Sequence, residues 1–371
     1  MIDYNHFSSE ELQRYKRHLS LKSVGCSGQT KLKRARVLCI GAGGIGSSLS
    51  IYLAAAGIGT LGIIDDDSVE ISNLHRQILF STSDINRNKA ITAQERLKKL
   101  NPDINVKIYT ERLTIKNAEE IFRQYDIIAD GSDNFETRYL VNYICIALQK
   151  INVAASASEF KGHCTIFVPF KYPCYNCIFP ANQGEESLLN CSETGILGVV
   201  PGILGMIQAA EIIKLILDIG SPLIGKLLQV DVLMMDYKIY SLTKNTACQL
   251  CNSKDLPPFS YTSNSSCLNE AIITARELQE YVNKPTVLLL DVREPEEHEC
   301  YNLGGINIPL SQLPGKIKIN SQYELIVTYC HSGKRSFQAV TILKKLGFSN
   351  VKSLVGGIRE WLAIRKFDAS I

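Results

Sequence analysis

The sequence predicts an α/β protein: a mostly parallel sheet covered on both faces, an antiparallel extension to it, and a second, smaller α/β unit. Three observations carry this. Short β-branched runs alternate with helical patterns from Arg36 to Ala157, the mark of repeated β–α–β units. After Glu159 the rhythm changes to strands of hairpin character. A second β–α–β pattern starts only beyond a stretch rich in Pro, Ser and Asn.

Taken in order, strands are expected at Val37–Ile40, Leu61–Ile64, Val106–Tyr109, Ile127–Ala129 and Val153–Ala155. Helices fit between them at Ile45–Ala56, Lys89–Leu100, Asn117–Phe122 and Phe135–Leu148. Then come strands at Cys164–Val168, Leu227–Val232 and Lys238–Leu242, broken by a long helix after Gly202. The apolar stretch from Ile196 to Ile219 carries Pro201, Gln208, Glu211 and Lys214 at helical spacing, leaving a broad apolar face between them. That pattern reads as a buried amphipathic helix rather than a membrane span. Residues 255–269, DLPPFSYTSNSSCLN, lack periodicity and form the expected linker. They divide a unit at 1–254 from one at 270–371, whose pattern runs through Val287–Leu290, Glu324–Tyr329, Phe337–Leu346 and Val351–Leu354.

The chain of 371 residues is 45% hydrophobic and 21% charged, enough for a sizeable core. Lys and Arg number 40 against 37 Asp and Glu, with no concentrated basic run, so neither nucleic acid nor a membrane surface is an implied partner. The polar start, MIDYNHFSSEELQRYKRH, predicts no signal peptide and a cytoplasmic protein. Of the twelve cysteines, Cys39, Cys145 and Cys164 sit singly in apolar runs, where a reduced thiol is a small core side chain. Four others form two Cys-x-x-Cys pairs, which suggests metal and sulfur chemistry in a reducing compartment rather than a disulfide framework.

Gly41-Ala-Gly43-Gly44-Ile-Gly46 follows the first strand and opens a helix. Glycines let the backbone approach phosphate oxygens, and the helix start supplies amide donors and positive dipole. Asp65 ends the next strand, placed to accept hydrogen bonds from a ribose. A nicotinamide site would need no more, yet Asp65-Asp66-Asp67 is followed by Ser72-Asn73-Leu74-His75-Arg76-Gln77 and by Asn86-Arg87-Asn88-Lys89. Several cations near the second strand suit phosphoryl chemistry, where charge on phosphate oxygens must be neutralised. Asp130-Gly-Ser-Asp133-Asn134 ends a later strand, where a carboxylate can hold magnesium.

Cys174-Tyr-Asn-Cys177 and Cys248-Gln-Leu-Cys251 offer four thiolates, a complete tetrahedral set for a structural zinc. A single redox-active pair is the competing reading, disfavoured by the second pair. Cys191 lies in a polar segment before the long helix, where its own residues read as an ordinary exposed loop cysteine whose reactivity depends on its local pKa. Cys330-His-Ser-Gly-Lys-Arg335 follows a strand and starts a helix, a geometry that wraps amides around the sulfur and stabilises an anionic persulfide.

The GAGGIG loop, the DDD run, SNLHRQ, the Lys89 helix and DGSDN together resemble the MoeB/ThiF family, relatives of ubiquitin-activating enzymes. The similarity extends through RYKR at Arg14–Arg17, YLAAAGIGTLGIID, PCYNC, GILGVVPG and ACQLC, about residues 10 to 252. The four residues between Cys330 and Arg335, with Asp291-Val-Arg293-Glu-Pro-Glu-Glu297 and Gly356-Gly357-Ile-Arg-Glu-Trp361, resemble rhodaneses. The Gly-His pair common in rhodaneses is replaced by Tyr301-Asn-Leu-Gly-Gly.

The resemblance implies a Rossmann-like, mostly parallel sheet with an antiparallel extension and a four-cysteine zinc site, followed by a small α/β rhodanese domain. It implies that ATP and Mg2+ meet Gly44, Asp65, Asn73, Arg76, Lys89, Asp133 and Asn134. Gly41, Gly43, Gly46, Asp67, Ser72, Leu74 and His75 would line the same site. Asp65 would bind ribose, Arg76 and Lys89 the phosphates, and Asp133 would organise the metal and the attack on the α-phosphorus. Arg17 would reach the neighbouring subunit's site in a homodimer. Cys191 would be a candidate for covalent chemistry with the carrier, and Zn2+ would sit on Cys174, Cys177, Cys248 and Cys251.

The implied activity is adenylation of the C-terminal Gly-Gly carboxylate of a β-grasp sulfur-carrier protein. Sulfur would follow from a persulfide on Cys330, recharged by a sulfur donor, to give the thiocarboxylate. The small subunit of molybdopterin synthase is the first expectation for the carrier and the thiamine-pathway carrier the second. A nicotinamide oxidoreductase would leave Arg76, Lys89 and the four thiolates idle. A noncatalytic scaffold should have lost Lys89, Asp133 or Cys330, and an isopeptide-forming enzyme would need a ubiquitin-fold domain in place of the rhodanese pattern.

Overall fold

The computed structural model describes residues 7–180, 195–252, 256–259, 271–282, 284–313 and 323–368. Its chain divides into two compact units, Met1–Tyr261 and Thr262–Ile371.

The first unit is built on eight strands: β1 (Arg36–Ile40), β2 (Thr60–Ile64), β3 (Asn105–Tyr109), β4 (Ile127–Asp130), β5 (Ile151–Ser158), β6 (Lys161–Phe167), β7 (Lys226–Asp231) and β8 (Asp236–Ser241). They pair in the order β3-β2-β1-β4-β5-β6-β7-β8. Pairing is parallel from β3 to β5 and antiparallel from β5 to β8. The reason is legible in the runs VLCI and IIAD, which are buried throughout, as strands covered on both faces must be. The later strands lose that burial progressively, until β8 is exposed along most of its length.

The order reverses direction at β1, so the carboxyl ends of β1 and β4 open onto a crevice. Gly41 leaves β1 with φ +85°, and a side chain at Gly46 would lie 2.0 Å from the Gly41 carbonyl. Only glycine lets the Gly44–Ala56 helix start so close to the strand it follows.

The long helix spans Val199–Leu217 and starts earlier than its sequence suggests, because Pro201 sits in its first turn, where no amide is missed. Its polarity is also the reverse of a simple amphipathic pattern. Gln208 and Glu211 are buried, while Val199 and Met206 are exposed. The Gln208 amide donates to the carbonyls of Asp130 (3.0 Å) and Val153 (2.6 Å), and Glu211 accepts from the Leu223 amide at 2.8 Å. Backbone partners thus offset part of the cost of burying both groups, although Gln208 Oε1 has no partner among the described residues. This helix is apolar and long enough to cross a membrane, yet it packs on the Gly44–Ala56 helix within the unit. Gly205 permits the contact: a side chain there would meet Ser48 Oγ at 2.1 Å.

The second unit holds a parallel sheet of β9 (Ile272–Ile273), β10 (Val287–Asp291), β11 (Ile306–Asn307), β12 (Leu325–Tyr329) and β13 (Val351–Leu354). Its order is β11-β10-β12-β13-β9. Helices Ala275–Gln279, Pro295–Cys300, Lys334–Lys345 and Gly357–Asp368 accompany it. Leu290, Ile326, Val340 and Leu343 fill one face, and Val327, Tyr329, Leu354 and Trp361 the other. The two-residue edge strands β9 and β11 escape any periodicity argument, being too short to alternate.

Candidate functional site

At the crevice, the Gly44–Ala56 helix begins at Gly43, which has no side-chain cap, so its first amides are free to serve a ligand. Asp65, just past β2, holds the loop: its carboxylate accepts from the Ala42 amide at 2.7 Å and from the Asp67 amide at 2.9 Å. Burial pushes the Asp65 carboxyl up, opposed by Lys89 and by those amides. Each oxygen keeps a lone pair for a further donor such as a ribose hydroxyl.

Lys89 opens the Lys89–Leu100 helix and is buried, its Nζ 2.9 Å from an exposed Asp67 carboxylate. Asn88 fixes that arrangement. Its Oδ1 caps the helix by accepting from the Ile91 amide at 3.1 Å, while its Nδ2 reaches the carbonyls of Asp65 (3.4 Å) and Asp67 (3.3 Å). The sequence signal for Asn88 is an Asn directly before a helical run.

Arg76 lies over the glycine loop, where a side chain on Gly44 would meet Arg76 Cγ at 3.5 Å. Its Nη1 donates to the Ser72 carbonyl at 3.0 Å and lies 2.8 Å from His75 Nε2. Asn73 is buried, Leu74 half-buried, and Ser72 and His75 exposed.

On the opposite side, Gly131 after β4 approaches Gly41, whose added side chain would meet the Gly131 carbonyl at 3.8 Å. Asp133 is exposed, and Asn134 caps the Phe135–Ala147 helix, accepting from the Thr137 amide at 2.9 Å. Buried Asp130, whose carboxyl is pushed up by burial, accepts from Ser132 N (3.0 Å) and Oγ (2.7 Å), shaping the loop that presents Asp133. The structure thus gathers the glycine loop with Asp65, Asp67, Arg76 and Lys89, and brings the loop carrying Asp133 beside it. Arg17 is exposed on the short Lys16–Leu19 helix, outside this set of contacts. Cys191 lies outside the described residues.

Sequence reasoning passes over a small cavity on the sheet face beyond Asp130. Arg138, Ser156, His163, Thr165, Tyr175 and Phe179 border it. His163 stacks on Phe179 at 5.6 Å between centroids, and burial, helped by the Arg138 charge, lowers its pKa to about 4. A histidine held below its ordinary value of 6.5 binds fewer protons folded than unfolded, so stability is fully present above that value and is lost as pH falls toward 4. Between those limits unfolding measurements should show a loss of about 3 kcal/mol that His163→Gln removes. An unaltered pH slope in the variant would assign the loss to other groups.

The four paired cysteines converge. Their sulfurs all lie within 4.8 Å of one another, with Cys174–Cys177 at 3.9 Å, Cys174–Cys248 at 3.7 Å and Cys177–Cys251 at 3.4 Å. Tetrahedral zinc with Zn–S of about 2.3 Å requires sulfurs about 3.8 Å apart, so the set fits. Without a cation, burial pushes the Cys174 thiol strongly up. Asn142 steadies the first pair by accepting from the Tyr175 amide at 3.0 Å and donating to Asn176 Oδ1 at 3.0 Å.

In the second unit, Cys330 directly follows β12 and is buried. The Gly333 amide points at its Sγ from 3.2 Å, and Gly333, at φ +90°, starts the Lys334–Lys345 helix. The Gly356–Gly357 turn closes beneath, with Ile358 N donating to the Cys330 carbonyl at 2.9 Å and Arg359 N to that of His331 at 3.1 Å. Arg293 forks onto Asp291 (Nη2–Oδ2 2.6 Å), which also meets His298 Nδ1 at 2.8 Å. Tyr301-Asn-Leu-Gly-Gly is tied in by Tyr329, whose hydroxyl donates to the Gly304 carbonyl at 2.9 Å and accepts from the Leu303 amide at 3.2 Å.

Comparison with known proteins follows this division. The family model described as ThiF family matches residues 15–250. The chain belongs to the ThiF family. The model of the rhodanese-like domain matches residues 274–364, so this ThiF protein carries a C-terminal rhodanese domain. "Probable adenylyltransferase/sulfurtransferase MoeZ" of Mycobacterium tuberculosis is 37% identical over 371 residues, covering 95% of this chain and 93% of the relative. "Adenylyltransferase and sulfurtransferase MOCS3-1" of Zea mays is 35% identical over 382 residues, covering 95% and 82%. "Sulfur carrier protein adenylyltransferase" of Thermus thermophilus is 43% identical over 253 residues, covering 67% of this chain and 93% of its own. Among solved structures, Escherichia coli MccB with ATP is similar with TM-score 0.57 and 26% identity, covering 65% of this chain and 75% of that one. The ThiF unit thus accounts for the glycine loop and the four-cysteine cluster, and the rhodanese domain for the Cys330 loop.

Proposed function

We propose that this ThiF protein adenylates the C-terminal Gly-Gly carboxylate of a small β-grasp sulfur carrier with ATP and then converts it to a thiocarboxylate with sulfur from a Cys330 persulfide. One observation carries the reading: a chain whose first unit presents free helix-start amides beside Asp65, Asp67 and Lys89 has, in its second, a cysteine wrapped by amides at another helix start. The first suits activation of a carboxylate and the second suits storage of sulfane sulfur.

In this reading Asp65 accepts from the ribose hydroxyls, and Lys89 and Arg76 neutralise the phosphates. The glycine loop, through Gly41, Gly43, Gly44 and Gly46, brings amides against phosphate oxygens, with Asp67, Ser72, Asn73, Leu74, His75 and Asn134 lining the site. Asp133 would hold Mg2+, which supplies further neutralisation of phosphate charge. A carrier carboxylate oxygen bonds to the α-phosphorus as pyrophosphate leaves, and the protein contributes position and charge rather than a nucleophile. Cys191 is assigned as a candidate thiol for the later exchange with the carrier.

Cys174, Cys177, Cys248 and Cys251 would hold a structural Zn2+, which joins the chain after β6 to the chain after β8. Metal analysis should return one zinc per chain. Removing it with a chelator should lower the melting temperature of the ThiF unit by about 10 °C; a metal-free protein of equal stability refutes the site.

Molybdopterin synthase's small subunit is the first carrier proposed and the thiamine-pathway carrier the second. A relative from Porphyra purpurea, 36% identical over 365 residues, is named "Probable molybdopterin-synthase adenylyltransferase". A homodimer, with Arg17 serving the neighbouring site, is supported by the exposed Arg17 and by Val199 and Met206 on the long helix. Reduced thiolates and ATP together call for the cytoplasm. The deciding measurement is ATP–pyrophosphate exchange with each carrier in turn. Exchange with one names the pathway, whereas no exchange with any Gly-Gly carrier refutes adenylation.

A further inference from the structure

Two guanidiniums, Arg293 over the Tyr329 ring at the end of β12 and Arg335 beyond Cys330, are each already held by a carboxylate. Arg293 is buried against Asp291, its Nη2 also donating to the Tyr301 carbonyl at 2.6 Å. Arg335, in the first turn of the Lys334–Lys345 helix, lies within electrostatic reach of Cys330. It forms a two-pronged pair with Glu297, Nη1–Oε2 at 2.6 Å and Nη2–Oε1 at 2.7 Å. That geometry is the one a guanidinium uses to bind an oxyanion. Glu297 therefore occupies the face that an anionic donor would seek.

The two pairs differ in how firmly they are closed. Arg293 and Asp291 are 5% and 0% exposed, whereas Arg335 and Glu297 are 36% and 38% exposed. A pair exposed by about a third is screened by solvent and opens more readily than the buried one, so Glu297 can be displaced. It does not titrate away, since its hydrogen bond with Arg335 holds its carboxyl down at about 2.

We propose that Glu297 sets sulfur-donor selectivity by competing with small anionic donors for Arg335, which disfavours thiosulfate relative to a donor of lower charge such as a cysteine persulfide. The inference rests on the sulfurtransferase reading of Cys330. With thiosulfate, the Cys330 thiolate bonds to the outer sulfur, the S–S bond breaks, and sulfite leaves with the electron pair. With a cysteine persulfide, the same attack on the outer sulfur releases a cysteine thiolate. Each step yields the Cys330 persulfide without an added oxidant or reductant. Only the first brings a dianion, and then a sulfite, against Arg335.

The test uses the full chain and Glu297→Gln, which keeps the side-chain shape and can still accept from the Glu294 amide, now 3.2 Å from Glu297 Oε2. KM for thiosulfate should fall about tenfold, while that for cysteine persulfide moves less than about threefold. Adding Arg335→Gln should erase the gain. Equal changes with both donors, or a gain that survives loss of Arg335, would overturn the proposal. A second readout is protection of Cys330 from alkylation by thiosulfate, followed on the Cys330 peptide by mass spectrometry. Tighter protection in Glu297→Gln without any sulfur transfer would uphold the competition and refute the sulfurtransferase reading. Unchanged protection in a folded variant would refute the competition.

Discussion

Asp133→Ala should lower carrier-dependent ATP–pyrophosphate exchange by at least about a hundredfold, the scale on which one preorganised charge contact acts in a transition state. The expectation follows from where Asp133 stands. It is exposed on a loop whose shape is set by buried Asp130 and Ser132, next to the glycine loop that starts the Gly44–Ala56 helix. Its side chain is not buried in the core, so its loss should leave the fold and the thermal midpoint close to those of the parent. Asp133→Asn separates charge from shape, keeping the side-chain size while removing the anion proposed to hold magnesium. Exchange that persists in both variants, with the fold intact, would remove Asp133 from the reaction.

Cys330→Ala should leave pyrophosphate exchange intact and reduce thiocarboxylate formation from thiosulfate to background. The separation follows from the division of the chain, because Cys330 belongs to a unit with its own sheet and core. The loop itself should survive the change. It is held by backbone contacts, from Ile358 N to the Cys330 carbonyl and from Arg359 N to that of His331, which do not involve the sulfur. Mass spectrometry of the carrier after reaction reads the outcome directly: a gain of sulfur with the variant would sink the persulfide role.

Much of the first unit is legible in the sequence because its signals are local. The runs VLCI and IIAD carry the apolar continuity of strands covered on both faces, and the Lys89–Leu100 helix follows from an Asn cap and helical periodicity. The glycine loop can be placed for the same reason, since close approach of helix to strand demands glycine at Gly46. The long helix departs from its sequence pattern in one respect. Gln208 and Glu211 read as an outward polar face, yet each finds a backbone partner inside. The identity of a side chain does not announce the carbonyl or amide waiting opposite it.

The sequence by itself determined the α/β class, the glycine loop at a strand end, the two Cys-x-x-Cys pairs and the cysteine that precedes a helix, because each is written in neighbours a few residues apart. Only the tertiary structure decided which distant groups meet. It set Lys89 on Asp67 across 22 positions, drew Cys174 and Cys248 together across 74, and placed Glu297 on Arg335 across 38. Ion pairs and metal clusters depend on the separation of charges and sulfurs in space, and that separation is fixed by packed cores and strand register rather than by spacing along the chain.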